Sequence, residues 1–307
     1  MTKKEPKDRQ YLNVTIVTHS EGKDMPVNFK YKKRHDREKP MALDVLLQAQ
    51  ETKLPDLAFR YGCRARNCGV CTIDINGLPR IACRSVVREN DKLKAMSTLP
   101  VITDLVVRRD QISRQLRGKI YRNSGGNDLN VDASEDYHEL TSCIECYACL
   151  HNCPMHQKNS IDPSESNESY EYGNPFSLLK LQTIVMDPVS SNSQKNDAIN
   201  QAVNLGLDTC LNCPGCKCGI GIDLKGKVVD PLITASKKIA DEQISIGRPV
   251  RFIGILDNIK FFWFSFNFSV ILVSIKPGAI QFIVIPLEAT SHASDLEKPI
   301  NPDFAAT

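Results

Sequence analysis

The sequence has one Trp in 307 residues and 7% aromatic side chains overall, too few to suggest a stacking surface for bases or sugars. Its formal net charge is only +3. The first 105 residues hold 20 Lys+Arg against 13 Asp+Glu, while the remainder is net −4; neither part is basic enough to demand a polyanion, and no nucleic-acid partner is expected. No apolar run reaches the ~20 residues of a membrane-spanning helix. The N-terminal MTKKEPKDRQ lacks the apolar stretch of a secretory signal, and Glu5 and Asp8 do not suit an Arg/Ser-rich transit peptide. A reducing compartment is therefore expected. With 41% hydrophobic and 24% charged residues, the chain has the composition of a folded globular protein of about two domains.

What the sequence has in excess is cysteine. The twelve fall into three groups of four: Cys63, Cys68, Cys71 and Cys83; Cys143, Cys146, Cys149 and Cys153; Cys210, Cys213, Cys216 and Cys218. None is left over, and in a reducing compartment such spacing reads as metal ligands rather than disulfides.

Upstream of the first group, Tyr11–His19 and Val27–Tyr31 alternate with period two around Gly22 and Pro26, as a hairpin would. Met41–Gln50 then puts Leu43, Leu46 and Ala49 on one helical face. Cys63-x4-Cys68-x2-Cys71 with a distant Cys83 is the plant-type [2Fe-2S] spacing, although four thiolates also suit zinc. Small residues at Gly62, Ala65 and Gly69 let the backbone wrap a cluster closely. Thr72–Ile75, Asn76-Gly77 and Pro79–Cys83 read as a second hairpin, whose return strand carries the fourth ligand.

Cys143-x2-Cys146-x2-Cys149-x3-Cys153-Pro154 is the bacterial ferredoxin run, in which the fourth cysteine serves a neighbouring cluster. By that rule Cys143, Cys146, Cys149 and Cys218 hold one [4Fe-4S] cluster. Cys153, Cys210, Cys213 and Cys216 hold the second, [4Fe-4S] or [3Fe-4S]. Between and after these runs, Phe176–Met186 and Asn196–Leu205 are expected as helices, with polar loops over 162–175 and 187–197. Asp230-Pro231 is expected to cap a helix running to Ile244 with Leu232, Ala235 and Ile239 inward. Phe261–Ile275 is a 15-residue uncharged apolar run, alternating at a period nearer two than 3.6, with a hairpin expected around Pro277-Gly278. That surface is expected to dock on a membrane anchor, a partner subunit or the lipid interface, or to be buried within the chain.

The order of these motifs over roughly residues 10 to 245, with Leu99-Pro100-Val101-Ile102-Thr103-Asp104-Leu105-Val106-Val107 between them, resembles the iron-sulfur subunit of succinate dehydrogenase and fumarate reductase. The resemblance implies an α+β chain. A β-grasp ferredoxin domain (1–105) would precede an α-helical two-cluster ferredoxin domain (106–250), followed by the apolar C-terminal extension (251–307). It further implies an electron-transfer subunit of the tricarboxylic acid cycle and respiratory chain, with no catalytic residue of its own. FAD would sit on a flavoprotein partner only, and the other partner would be a membrane anchor or quinone. The location would be peripheral, on the cytoplasmic side of the inner or plasma membrane or on the mitochondrial matrix side. Two departures from the family stand out. Cys213 occupies a position that is often Ile or Val, which favours a second cubane over a [3Fe-4S] centre. Pro154-Met155-His156-Gln157 lacks the quinone-site Trp and Leu211 replaces a frequent His, so the iron-sulfur subunit of a soluble fumarate reductase or other flavin-linked dehydrogenase with a non-quinone partner is the alternative. His151 and His156 are read as surface residues that could serve a proton-coupled acceptor.

Overall fold

In the computed structural model the described residues are 10–119, 131–159, 170–245, 269–276 and 279–286. The chain divides into two compact units, Met1–Ser236 and Lys237–Thr307.

The first unit opens with β1 (Tyr11–Ser20) and β2 (Lys23–Lys32), antiparallel and in unbroken register from Tyr11↔Lys32 to Ser20↔Lys23. Glu21 and Gly22 both have positive φ, the two-residue turn that suits the strand twist. Helix α1 (Ala42–Thr52) buries Leu43, Leu46 and Ala49 as its spacing requires, together with Ala42 and Val45. β3 (Thr72–Ile75) and β4 (Leu78–Ile81) form the second hairpin, with Asn76 and Gly77 both at positive φ as an Asn-Gly turn demands. β5 (Lys92–Lys94) completes a five-stranded sheet of order β2-β1-β5-β3-β4, lying parallel to β1 and antiparallel to β3. The strand prolines, Pro26 and Pro79, sit on the two edge strands, where a missing N–H leaves no gap in the interior ladder. Leu12, Val14 and Ile16 of β1 alternate into the core shared with α1, Cys71, Cys83 and Cys146.

A short ribbon, β6 (Val101–Thr103) and β7 (Val106–Val107), leads away from the sheet. The Asp104 carboxylate in its turn accepts the N–H groups of His19 at 3.2 Å and Ala58 at 2.8 Å, pinning the ribbon to the sheet. The regular elements described after the ribbon are helices: α2 (Asp110–Arg114), α3 (Glu135–Thr141), α4 (Pro154–Gln157), α5 (Pro175–Met186), α6 (Asn192–Asn204) and α7 (Asp230–Ser245), the last running past the end of the first unit. α5 is buried on almost every side, and α6 packs against it. Asn174 is its N-cap, with Pro175 at the first helical position. Asn174 also donates to Gln115 at 2.7 Å, and Gln115 donates to the Tyr170 and Tyr172 carbonyls, so a polar knot ties 170–174 to α2.

Two expectations need correction. The polar segment expected as a loop over 187–197 ends at Ser191, which caps α6 through a reciprocal pair with Gln194. Polar composition hid a helix whose buried face, Ala198, Ile199 and Ala202, is narrow. Asp230 is the first residue of α7 but not its cap: it has helical φ and ψ, and wide π turns over Lys225–Val229 lead into it. The capping side chain is Asp223, whose Oδ1 accepts from the Gly226 N–H at 2.9 Å. Pro231 cannot donate to the helix ladder, and the change of pitch falls just before it. Leu232, Ile233 and Ser236 form the buried face there, and Ala235 is only half-buried.

In the second unit β8 (Ser269–Lys276) and β9 (Ala279–Pro286) pair antiparallel from Ser269↔Pro286 to Lys276↔Ala279, bracketing Pro277-Gly278. Phe261–Phe268, the start of the apolar run, lies outside the described residues, as do 162–169 of the first expected loop. Among the described residues no helix is long and apolar enough to cross a membrane.

Candidate iron-sulfur centres

The first cysteine loop runs irregularly from Tyr61 to Cys71, immediately before β3, and Cys83 follows β4 in a single 3-10 turn. Arg64, Arg66 and Gly69 adopt left-handed φ, which curls the loop around Cys63. As a result two backbone N–H groups, from Ala65 at 3.3 Å and Asn67 at 3.2 Å, donate to the Cys63 sulfur. These bonds favour the thiolate and bring the pKa of exposed Cys63 down to about 7. Burial pushes that of Cys71 up to about 11, with Cys83 and Cys68 as its thiol neighbours. At Gly62 a Cβ would stand 3.4 Å from the Cys68 sulfur, so a larger side chain there would press on the thiol. N–H groups aimed at sulfur, over a backbone of small residues, are the environment an iron-bound thiolate requires.

The second loop is wound more tightly, with Glu145, Tyr147 and Asn152 all left-handed. A bulky residue in that region costs on the order of 1–3 kcal/mol unless its surroundings hold it. Tyr147 is held between the Phe176 ring, edge-on at 5.0 Å, and the Arg109 guanidinium 4.6 Å from its ring centroid. Cys153 caps α4, its sulfur accepting from the His156 N–H at 3.5 Å. In the third loop the Cys218 sulfur accepts from the Ile220 N–H at 3.5 Å, and Lys225 Nζ donates to the Cys213 carbonyl at 3.1 Å.

Burial raises the thiols of Cys143, Cys146, Cys149, Cys153, Cys210 and Cys216. Cys210 and Cys216 are pushed up to about 12, and Cys149 lies well above its ordinary value. Neighbouring thiols add to the effect of burial. Cys149 is repelled by Cys146, Cys143, Cys216 and Cys218, and Cys143 by Cys146 and Cys218. Cys210 is repelled by Cys153, Cys216 and Cys213, and Cys153 by Cys213. Such buried thiols ionise only when a metal takes the place of the proton. Among the described residues no three His, Cys, Asp or Glu converge closely enough to hold one ion; a multi-iron cluster spreads its thiolates further apart than a single zinc does.

The three loops meet. A Cβ on Gly69 would lie 2.3 Å from the Ile144 carbonyl oxygen and 2.8 Å from the Cys146 nitrogen, so the first loop lies directly on the second. A Cβ on Gly219 would lie 2.9 Å from the Cys146 sulfur, bringing in the third. Neither contact, nor the role of Arg109, is marked by any local sequence pattern. His156 corrects the surface reading: it is 2% exposed, its Nε2 lies 3.0 Å from the Thr98 carbonyl, and burial holds its pKa below the ordinary histidine value. His151 is half-buried.

Residues 12–114 match the family described as "2Fe-2S iron-sulfur cluster binding domain". Over a wider span the chain is similar to iron-sulfur subunits of fumarate reductases and succinate dehydrogenases. It is 27% identical over 260 residues to a subunit of the fumarate reductase (CoM/CoB) of Methanothermobacter marburgensis, covering 79% of this chain and 50% of that one. It is 28% identical over 188 residues to the mitochondrial succinate dehydrogenase [ubiquinone] iron-sulfur subunit 1 of Oryza sativa, covering 57% of this chain and 64% of that one. The chain spans about half the length or less of the first curated relatives it matches. A chain of the Mycobacterium smegmatis Sdh1 complex shares the fold, with a TM-score of 0.62 and 21% identity, covering 76% of this chain and 97% of that one.

Proposed function

We propose that this chain is the electron-relay subunit of a succinate dehydrogenase/fumarate reductase-type oxidoreductase. In this reading a β-grasp domain (1–105) holds a [2Fe-2S] cluster on Cys63, Cys68, Cys71 and Cys83. A helical domain (106–250) holds a [4Fe-4S] cluster on Cys143, Cys146, Cys149 and Cys218, and a second cluster on Cys153, Cys210, Cys213 and Cys216. The observation that carries the proposal is the meeting of the three cysteine loops, with Gly69 of the first and Gly219 of the third both packed against Cys146 of the second. Cys218 as the third-run neighbour of Cys143 and Cys146, and Cys153 as a neighbour of Cys210, support the exchange of fourth ligands between the two ferredoxin-like runs. When bound, such clusters supply one-electron carriers, so a two-electron flavin reaction is split into single steps. The chain's own residues donate N–H groups to the Cys63, Cys153 and Cys218 sulfurs and bury Cys71, Cys83, Cys146, Cys153 and Cys210. They also hold the loops at fixed separation.

The proposed partner on one side is an FAD-bearing catalytic subunit. On the other, two acceptors are in play: a quinone with its membrane anchor, or a soluble thiol-linked or ferredoxin-linked system. The second is favoured by the missing Trp after Cys153-Pro154, by the burial of His156, and by the broad match to a CoM/CoB fumarate reductase. The apolar run from Phe261 favours a peripheral membrane location. Purifying the native complex, with and without residues 251–307, tests both points. A co-purifying flavoprotein is expected. Isolation of the chain without any flavin-bearing partner would refute the proposal, and retention in the soluble fraction with 251–307 present would assign the soluble acceptor.

A further inference from the structure

Arg109 lies between β7 and α2, yet both of the hydrogen bonds described for its side chain reach the cysteine loops. Nη1 donates to the Gly69 carbonyl at 3.3 Å, and Nη2 donates to the Glu145 carbonyl. Its guanidinium stacks on Tyr147, the left-handed residue next to Cys146. One rigid fork thus spans the last turn of the first loop and the middle of the second, at the point where Gly69 presses on Ile144 and Cys146. The Glu145 carboxylate makes its ion pair with Lys180 at 3.0 Å and acts on the guanidinium only through space, where the Arg60 cation opposes it. The cation is partly withdrawn from water, and its acceptors are carbonyl oxygens. That arrangement is costly unless negative charge lies close by. The two loops it joins carry Cys68 and Cys71 beside Gly69 and Cys146 beside Glu145, which on the cluster reading are thiolates.

We propose that Arg109 is a positioning residue: it fixes the separation of the [2Fe-2S] site and the first cubane site, and its charge between them favours their reduced states. The proposal rests on the cluster reading above. Reduction adds negative charge on each side of the guanidinium, so removing the cation disfavours reduction at both sites. Arginine suits the task because its planar fork bonds two carbonyls and stacks on a ring at once, which an ammonium cannot do.

The test uses the full chain in its native complex, as wild type, Arg109→Gln and Arg109→Lys. Potentiometric titration followed by EPR reads the midpoint potentials, and relaxation of the reduced [2Fe-2S] signal by the reduced cubane reads the separation. Arg109→Gln is expected to lower both potentials, shifting the reduced-to-oxidised ratio at fixed ambient potential about tenfold, or roughly 59 mV for a one-electron couple. It should also alter the relaxation. Arg109→Lys is expected to keep the potentials and alter only the relaxation. Wild-type potentials and relaxation in Arg109→Gln, even with a lowered Tm, would overturn the proposal, as would potentials in Arg109→Lys that fall as far as in Arg109→Gln. If Arg109→Gln does not retain its clusters, Arg109→Lys decides: unchanged relaxation overturns the positioning role. A wild-type protein without a [2Fe-2S] signal is a different failure, that of the cluster reading itself.

Discussion

Replacing Gly69 with Ala probes the packing of the first cysteine loop on the second. Gly69 has φ +62, where a side chain costs about 1–2 kcal/mol from backbone sterics alone. Its new Cβ would also stand 2.3 Å from the Ile144 carbonyl oxygen and 2.9 Å from the Cys146 Cα, all backbone that cannot rotate away. Forcing a methyl into such a contact adds roughly 1–3 kcal/mol, so the total falls near 2–5 kcal/mol. Gly77 is the internal control: its φ is +79, but nothing lies within 4 Å of its Cβ position, so Gly77→Ala carries only the backbone cost. Urea unfolding of the two variants isolates the loop contact as the difference between them. Gly69→Ala should be the less stable by about 1–3 kcal/mol, with altered relaxation between the first two sites. Equal losses in the two variants would refute the direct seating of one loop on the other.

Three further outcomes follow from other parts of the molecule. Cys213→Ala should convert the second cubane to a [3Fe-4S] centre or abolish it, read by EPR of the oxidised protein; an unchanged [4Fe-4S] cluster would remove Cys213 from the ligands. Tyr31, 1% exposed and donating to Glu38 Oε1 at 3.0 Å, has its pKa raised to about 12, chiefly by burial. Its folded value lies above the unfolded 10, so its contribution is complete below pH 10 and is lost as pH rises through about 12. Tyr31→Phe should cost about 1 kcal/mol at neutral pH and flatten that alkaline loss; an equally steep alkaline loss in the variant would contradict it. Asp223→Ala should destabilise the molecule by about 1 kcal/mol through loss of the cap, read by thermal unfolding, whereas Asp230→Asn should be near neutral.

Features encoded over a few adjacent residues were legible in the sequence. Asn76-Gly77 dictates its own turn, the Leu43/Leu46/Ala49 stripe dictates the buried face of α1, and the three cysteine runs announce their grouping by spacing. The Ser191/Gln194 capping pair is equally local, but the surrounding Asn, Ser and Asp residues mask it. What stayed hidden depends on distant partners. His156 is buried because the short turn after Cys153 aims it at Thr98, 58 residues away. Arg109 gains its role only because Gly69 and Glu145, 40 and 36 residues back and forward, arrive on either side of it. Asp223 displaces Asp230 as the cap because the chain enters the helix through a π segment, which no local residue pattern announces.

Iron and acid-labile sulfide analysis of the anaerobically purified protein, combined with EPR after stepwise reduction, bears most directly on three cluster sites in series. Roughly ten irons per chain are expected, as one [2Fe-2S] and two cubanes whose signals broaden one another as successive sites fill. Zinc in place of iron, or a full iron complement without a [2Fe-2S] signal, would contradict it.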